Sequence, residues 1–109
     1  MADMPEEVQE KIRQLQMKEQ ELRQLQMQKQ TFQLQQMEVE SALKELKSTT
    51  EAYKIIGNVM VLAQKGELEK DLAEKKETAD LRISSLEKME AKIREKAEAL
   101  QKEVIASMK

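Results

Sequence analysis

The side chains that most often do chemistry are missing from this chain of 109 residues, which has no histidine and no cysteine. That removes imidazole acid–base catalysis, a thiol nucleophile, disulfides and any His/Cys site for zinc or haem. A metal would have to be held by oxygen alone. What remains is 21 acidic and 19 basic residues, one tyrosine and scattered hydroxyls. Pairs such as Glu90 with Arg94 stand four apart, the spacing of a solvated helix face, so neither an enzyme nor a cofactor is expected. The net charge is −2, with −2 in residues 1–50 and none in 51–109, which leaves no basic face for nucleic acid. No apolar run approaches the length of about 18 residues that a membrane span needs. The opening Met-Ala-Asp-Met-Pro-Glu-Glu lacks the basic and apolar regions of a signal peptide. No nucleic acid and no membrane is therefore expected as a partner, and the expected location is cytoplasmic.

The elements that carry these side chains are unusual. With 37% charged residues, 2% aromatic, two glycines and one proline, the chain cannot build the core of a compact globule of its length. Yet 39% apolar residues with a near-zero net charge lie outside the disordered regime. A long amphipathic helix or coiled coil remains.

Pro5, preceded by Asp3 as a possible cap and followed by Glu6 and Glu7, marks a helix start. From there to about Lys47 nothing breaks a helix. Val8, Leu15, Leu22 and Leu43 fall in one series of sevens, and Leu25, Phe32, Val39 and Leu46 in another offset by three. A second helix is expected from near Gly66 to the C-terminus. Its seam is Leu72, Ala79, Leu86, Ile93 and Leu100, with Leu68, Ile83, Met89, Ala97 and Val104 on the adjoining positions. The arms are equal in length, so an antiparallel hairpin should pair residues whose numbers have a constant total. Leu15 with Leu100, Leu22 with Ile93, Phe32 with Ile83 and Leu43 with Leu72 all total 115. The same total sets Lys29 against Leu86 and Gln36 against Ala79, which places polar groups in the seam. Pairing of each helix with other chains is the alternative. The first arm also holds eleven glutamines between Gln9 and Gln36 and leaves Met17, Met27, Leu34 and Met37 off the seam.

Residues 51–64 are different. β-branched and aromatic residues cluster in two runs, Ala52 to Ile56 and Val59 to Ala63, around Gly57-Asn58, a pair suited to a tight turn. A β-hairpin is expected, with Ile56, Met60 and Leu62 on one face and Tyr53, Ile55, Val59 and Val61 on the other. Both faces are then largely apolar and one chain cannot cover both. An isolated two-stranded hairpin is marginal in water and its edges are open to further strands, so the segment calls for oligomerisation into a larger sheet or closed barrel. The fold class expected is mainly α: a long antiparallel two-helix coiled coil with one β-hairpin between the helices that oligomerises into a β-barrel platform. Residues 1–109 form one domain, with helices over about 5–47 and about 66–109 and the hairpin over about 51–64.

The Gln-rich first arm, the hinge Glu51-Ala52-Tyr53-Lys54-Ile55-Ile56-Gly57-Asn58-Val59-Met60-Val61, and Lys75-Lys76-Glu77-Thr78-Ala79-Asp80-Leu81-Arg82-Ile83 resemble the β-class subunits of prefoldin, in the archaeal form most closely. The resemblance covers essentially the whole chain and departs where the acidic linker before the hairpin is reduced to Ser48-Thr49-Thr50. It implies an ATP-independent holding chaperone without cofactors. It also implies a hexamer of two α and four β subunits that captures non-native proteins at the coiled-coil tips and hands them to a group II chaperonin. Tyr53, Ile55, Ile56, Gly57, Asn58, Val59, Met60, Val61 and Leu62 would then form the oligomerisation hairpin.

Client contact at the tips would fall to Met4, Val8 and Ile12 on the first arm and Leu100, Val104, Ile105 and Met108 on the second. Val104 and Ile105 are adjacent and cannot both face one seam, whereas Ile105 and Met108 share a stripe with nothing in the chain to pair it. Flexible methionine suits irregular partners. Two rival functions can be weighed. A transcript-cleavage finger, also a helical hairpin, needs acidic residues at its turn, and Ile56-Gly57-Asn58-Val59 has none. A structural coiled-coil or filament-forming protein without chaperone activity is the other, and it predicts no protection of unfolded clients.

Overall fold

The computed structural model describes residues 4–108, so the capping role expected of Asp3 lies outside the described residues. Helix α1 spans Glu6–Leu46, strand β1 Ala52–Ile56, strand β2 Val59–Ala63 and helix α2 Lys65–Ser107. At the start of α1 the carbonyl of Pro5 accepts from the amides of Val8 and Gln9 at 3.1 Å, and Glu6 and Glu7 sit in the positive first turn. The Gln9 side chain also donates to the Met4 carbonyl at 2.9 Å. At the other end the Ser48 hydroxyl donates to the Glu45 carbonyl at 3.1 Å and the Thr49 hydroxyl to that of Leu46 at 3.4 Å. Hydroxyl side chains thus satisfy carbonyls the helix leaves open, which is why Ser-Thr-Thr stops it. Helix α2 begins at Lys65, one residue ahead of Gly66, with the Gln64 carbonyl accepting from Leu68 at 3.1 Å.

The chain divides into two compact units, Met1–Lys29 with Ser84–Lys109, and Gln30–Ile83. In the first, Val8 and Leu25 of α1 and Leu86 and Val104 of α2 are buried, with Leu15, Leu22, Ile93, Ala97 and Leu100 half-buried between them. In the second, Val39, Leu46, Ala79 and Ile83 are buried and Phe32, Leu43 and Leu72 half-buried. Steps of three and four alternate along both helices, the heptad period expected from the sequence. The two-helix arrangement with a strand pair between the helices is therefore present. Burying one such aliphatic side chain stabilises by about 1.5–3 kcal/mol, so a seam one side chain wide must be long to hold.

Polar contacts follow the antiparallel pairing. In the first unit Lys11 Nζ lies 3.6 Å from Glu103. In the second, Gln36 donates to Asp80, Lys76 pairs with Glu40 at 3.5 Å, and Lys65 donates to the Thr49 carbonyl at 3.2 Å. One expectation is corrected. Met89 is 47% exposed, and its neighbour Glu90, at 6%, occupies the seam position instead. Lys29 makes its ion pair with Glu90, at 3.0 Å, because a long ammonium side chain reaches past the residue opposite to the nearest carboxylate.

Candidate assembly and client-binding surfaces

In the second unit, β1 and β2 pair antiparallel with Ile56 opposite Val59, Ile55 opposite Met60, Lys54 opposite Val61, Tyr53 opposite Leu62 and Ala52 opposite Ala63. Val, Ile and Tyr favour this pleated, half-exposed surface. The loop is Gly57-Asn58 alone. Gly57 has φ +61° and no other described residue a positive φ, the pattern of a type II′ turn, whose first central position suits glycine. This turn sets the register.

The register also corrects the assignment of faces. Residues directly opposite share a face, so Ile56 lies with Lys54, Val59 and Val61, while Tyr53, Ile55, Met60 and Leu62 form the other side. Alternation counted straight through the turn places Ile56 with Met60 and Leu62 instead, and the two-residue loop breaks that count. Both faces stay apolar, and both are open: Ile55 is 69%, Met60 64%, Val59 62% and Ile56 58% exposed. The Tyr53 hydroxyl donates to Glu51 at 3.1 Å, which keeps its polar end local and its ring bare. Among the described residues each strand has one partner only, so each also presents an unpaired edge. Beside β1 runs an open groove of about 1200 Å³ whose lining includes Val39, Leu46, Ala52, Lys54, Leu68 and Leu72.

The residues singled out near the chain termini lie in the first unit and divide by exposure. Val8 and Val104 are buried, at 4% and 8%; Met4, Ile12 and Leu100 are half-buried. Ile105 and Met108 are 49% and 63% exposed, three residues apart, the first in the last turn of α2 and the second just past its end. Val8 and Val104 close the seam, and Ile105 and Met108 form the open stripe. Charge surrounds them: Lys11 lies 3.6 Å from both Glu7 and Glu103. Arg13 donates to both oxygens of Glu10, at 2.6 and 3.0 Å. That hydrogen bonding holds the Glu10 carboxyl below its ordinary range and raises the guanidinium. Sequence patterns do not reveal Glu90, because a charged residue on a seam position is recognisable only through the lysine that meets it. Among the described residues no group of three or more carboxylates is placed to hold a metal ion, and no helix is long and apolar enough to cross a membrane.

Two long helices joined through a strand pair that is bare on both sides define a class of helical hairpin with an uncovered strand pair between its helices. The chain belongs to the prefoldin subunit family, whose model matches residues 9–109, and the family is one of chaperone subunits. It is 38% identical to prefoldin subunit beta of Archaeoglobus fulgidus over 106 residues, covering 94% of this chain and 91% of that one. It is 35% identical to prefoldin subunit beta of Thermococcus gammatolerans, over 100% of this chain and 96% of that one. The crystal structure of the prefoldin beta subunit from Thermococcus strain KS-1 superposes with a TM-score of 0.90 at 33% identity, covering 98% of this chain and 96% of that one.

Proposed function

We propose that this chain is a β-type subunit of a cytoplasmic prefoldin hexamer, two α-class and four β-class chains, that holds non-native proteins without ATP and passes them to a group II chaperonin. The observation that carries the assembly is the hairpin. Ile55 and Met60 on one face and Ile56 and Val59 on the other are all more than half exposed, and a strand pair open on both sides and both edges is stable only once neighbours add to it. Similarity to prefoldin beta subunits supports the same reading.

Client capture falls to apolar side chains that the seam leaves uncovered. Ile105 and Met108 meet that condition; Val8 and Val104 contribute by holding the helices that present them. A single such stripe binds weakly, but several copies in one assembly raise the effective concentration and hold a client by multivalency. The test is the double variant Ile105→Ser/Met108→Ser, measured for suppression of aggregation of a chemically unfolded protein and for mass by light scattering. Suppression is expected to fall several-fold with the assembly mass unchanged. Full suppression by the intact assembly would sink the assignment of these two residues. A wild-type assembly giving no protection would favour a structural coiled-coil role instead.

A further inference from the structure

Glu90 is the buried charged residue among those described, 6% exposed. It sits on the seam of α2 between Leu86 and Ile93, where the heptad otherwise carries apolar side chains. Lys29 Nζ, on the seam of α1, lies 3.0 Å from Glu90 Oε1, and Arg94 lies 3.6 Å from Oε2. The Lys29 approach is off the direction of a hydrogen bond, so the layer is held by charge. Replacing a buried ion pair by apolar residues is often neutral or stabilising, whereas removing one partner is costly. A layer of this kind adds little to stability, and a leucine pair would serve the seam as well.

We propose that the Lys29–Glu90–Arg94 cluster determines which arms pair and in what register. A slip of one heptad sets Lys29 against Ile83 or Ala97, and Glu90 against Leu22 or Gln36, which breaks the pair across the seam and leaves Glu90 only Arg94 of its own helix. Two copies of α1 side by side in parallel register bring Lys29 against Lys29, and two copies of α2 bring Glu90 against Glu90. The apolar layers carry no such penalty, because leucine and isoleucine accept one another in any of these arrangements. A single polar layer that penalises the alternatives is an established device for fixing partner and register in coiled coils. The other polar seam groups cannot replace it. Lys11 and Lys18 are more exposed, at 25% and 27% of their side chains against 19% for Lys29, and Gln36 is neutral. In an assembly holding several copies of both arms, this discrimination keeps each α1 with an α2.

The absence of cysteine gives a clean background for disulfide trapping in the full-length chain. A cysteine pair at Leu22 and Ile93 reports the observed register, and pairs at Leu22 with Leu86 or Leu100 report slips of one heptad. With Lys29 and Glu90 intact, cross-linking is expected at 22–93 alone. In the K29L/E90L background the melting temperature is expected to hold or rise, while slipped or chain-to-chain cross-links increase at least tenfold. E90L alone, which strands Lys29, is expected to lower the melting temperature, and adding K29L to restore it. The proposal is overturned if K29L/E90L cross-links only at 22–93 with unchanged oligomer mass, or if E90L alone is as stable as the parent.

Discussion

The hairpin and the helical seam are built from the same side chains and treat them in opposite ways. Ile83 is 9% exposed and Ile55 69%; Val8 is 4% exposed and Val59 62%. Helices of one chain can cover each other because each needs only a single stripe buried, and the heptad spacing supplies a matching stripe on both. A strand pair has two faces and two edges, and among the described residues there is no further strand to close them. Apolar content is therefore treated in two ways here, covered within the subunit along the seam and, on the function proposed above, left for neighbours at the hairpin.

That contrast can be broken most strongly at the hairpin. Ile55→Asp with Val59→Asp puts a charge on each face, and loss of the assembly with most helical circular dichroism retained is the expected result. Size-exclusion chromatography with light scattering showing an unchanged complex would mean the exposed faces do not mediate association. Next is the seam itself, where Ile83→Ala is expected to cost about 2–3 kcal/mol, in the lower part of the range for such truncations because the layer is one side chain thick. Chemical denaturation measures it, and a change below about 0.5 kcal/mol, as at ordinary surface sites, would show the seam adding little. Gly57→Ala forces a side chain onto φ +61°, at a cost on the order of 1–3 kcal/mol felt by the turn. Weaker assembly at unchanged helix content is expected, and equal assembly constants would remove the turn from the account. The smallest effect belongs to Arg13→Ala. The depressed Glu10 pKa means that the pair's contribution is present above the unfolded value and disappears as pH falls through the folded one. Both groups are exposed, so the Glu10 carboxyl should return toward its ordinary range in an NMR titration while global stability stays put. A carboxyl titrating as before would mean that Arg13 is not the cause.

Periodicity and turn chemistry make the arms, the break between them and the two-residue loop legible in the amino-acid sequence. Heptads need only residue types at fixed spacing, and Gly-Asn between two β-branched runs is a local signal. Simple alternation misassigns the faces of the hairpin because a two-residue turn sets Ile56 against Val59, and side-chain parity must be counted from that pair outward. Apolarity alone puts Met89 on the seam, whereas the position belongs to Glu90, whose burial depends on a lysine sixty-one residues earlier. Of the terminal residues, sequence spacing separates Ile105 and Met108 from Val104. It also separates Val8, on the series of sevens with Leu15 and Leu22, from Ile12, which falls on neither series.

Ala52 and Ala63 face each other at the foot of the hairpin, the first buried and the second half-buried, while every residue beyond them is exposed. Small side chains there let the strands stay close to the helices of their own unit, and farther along nothing shields the cross-strand hydrogen bonds. In a newly made subunit the backbone amides should therefore exchange with solvent in a gradient, slowest at Ala52 and Ala63 and fastest beside Gly57. The interval before partners arrive is when this strand pair is exposed to proteases and to non-productive association.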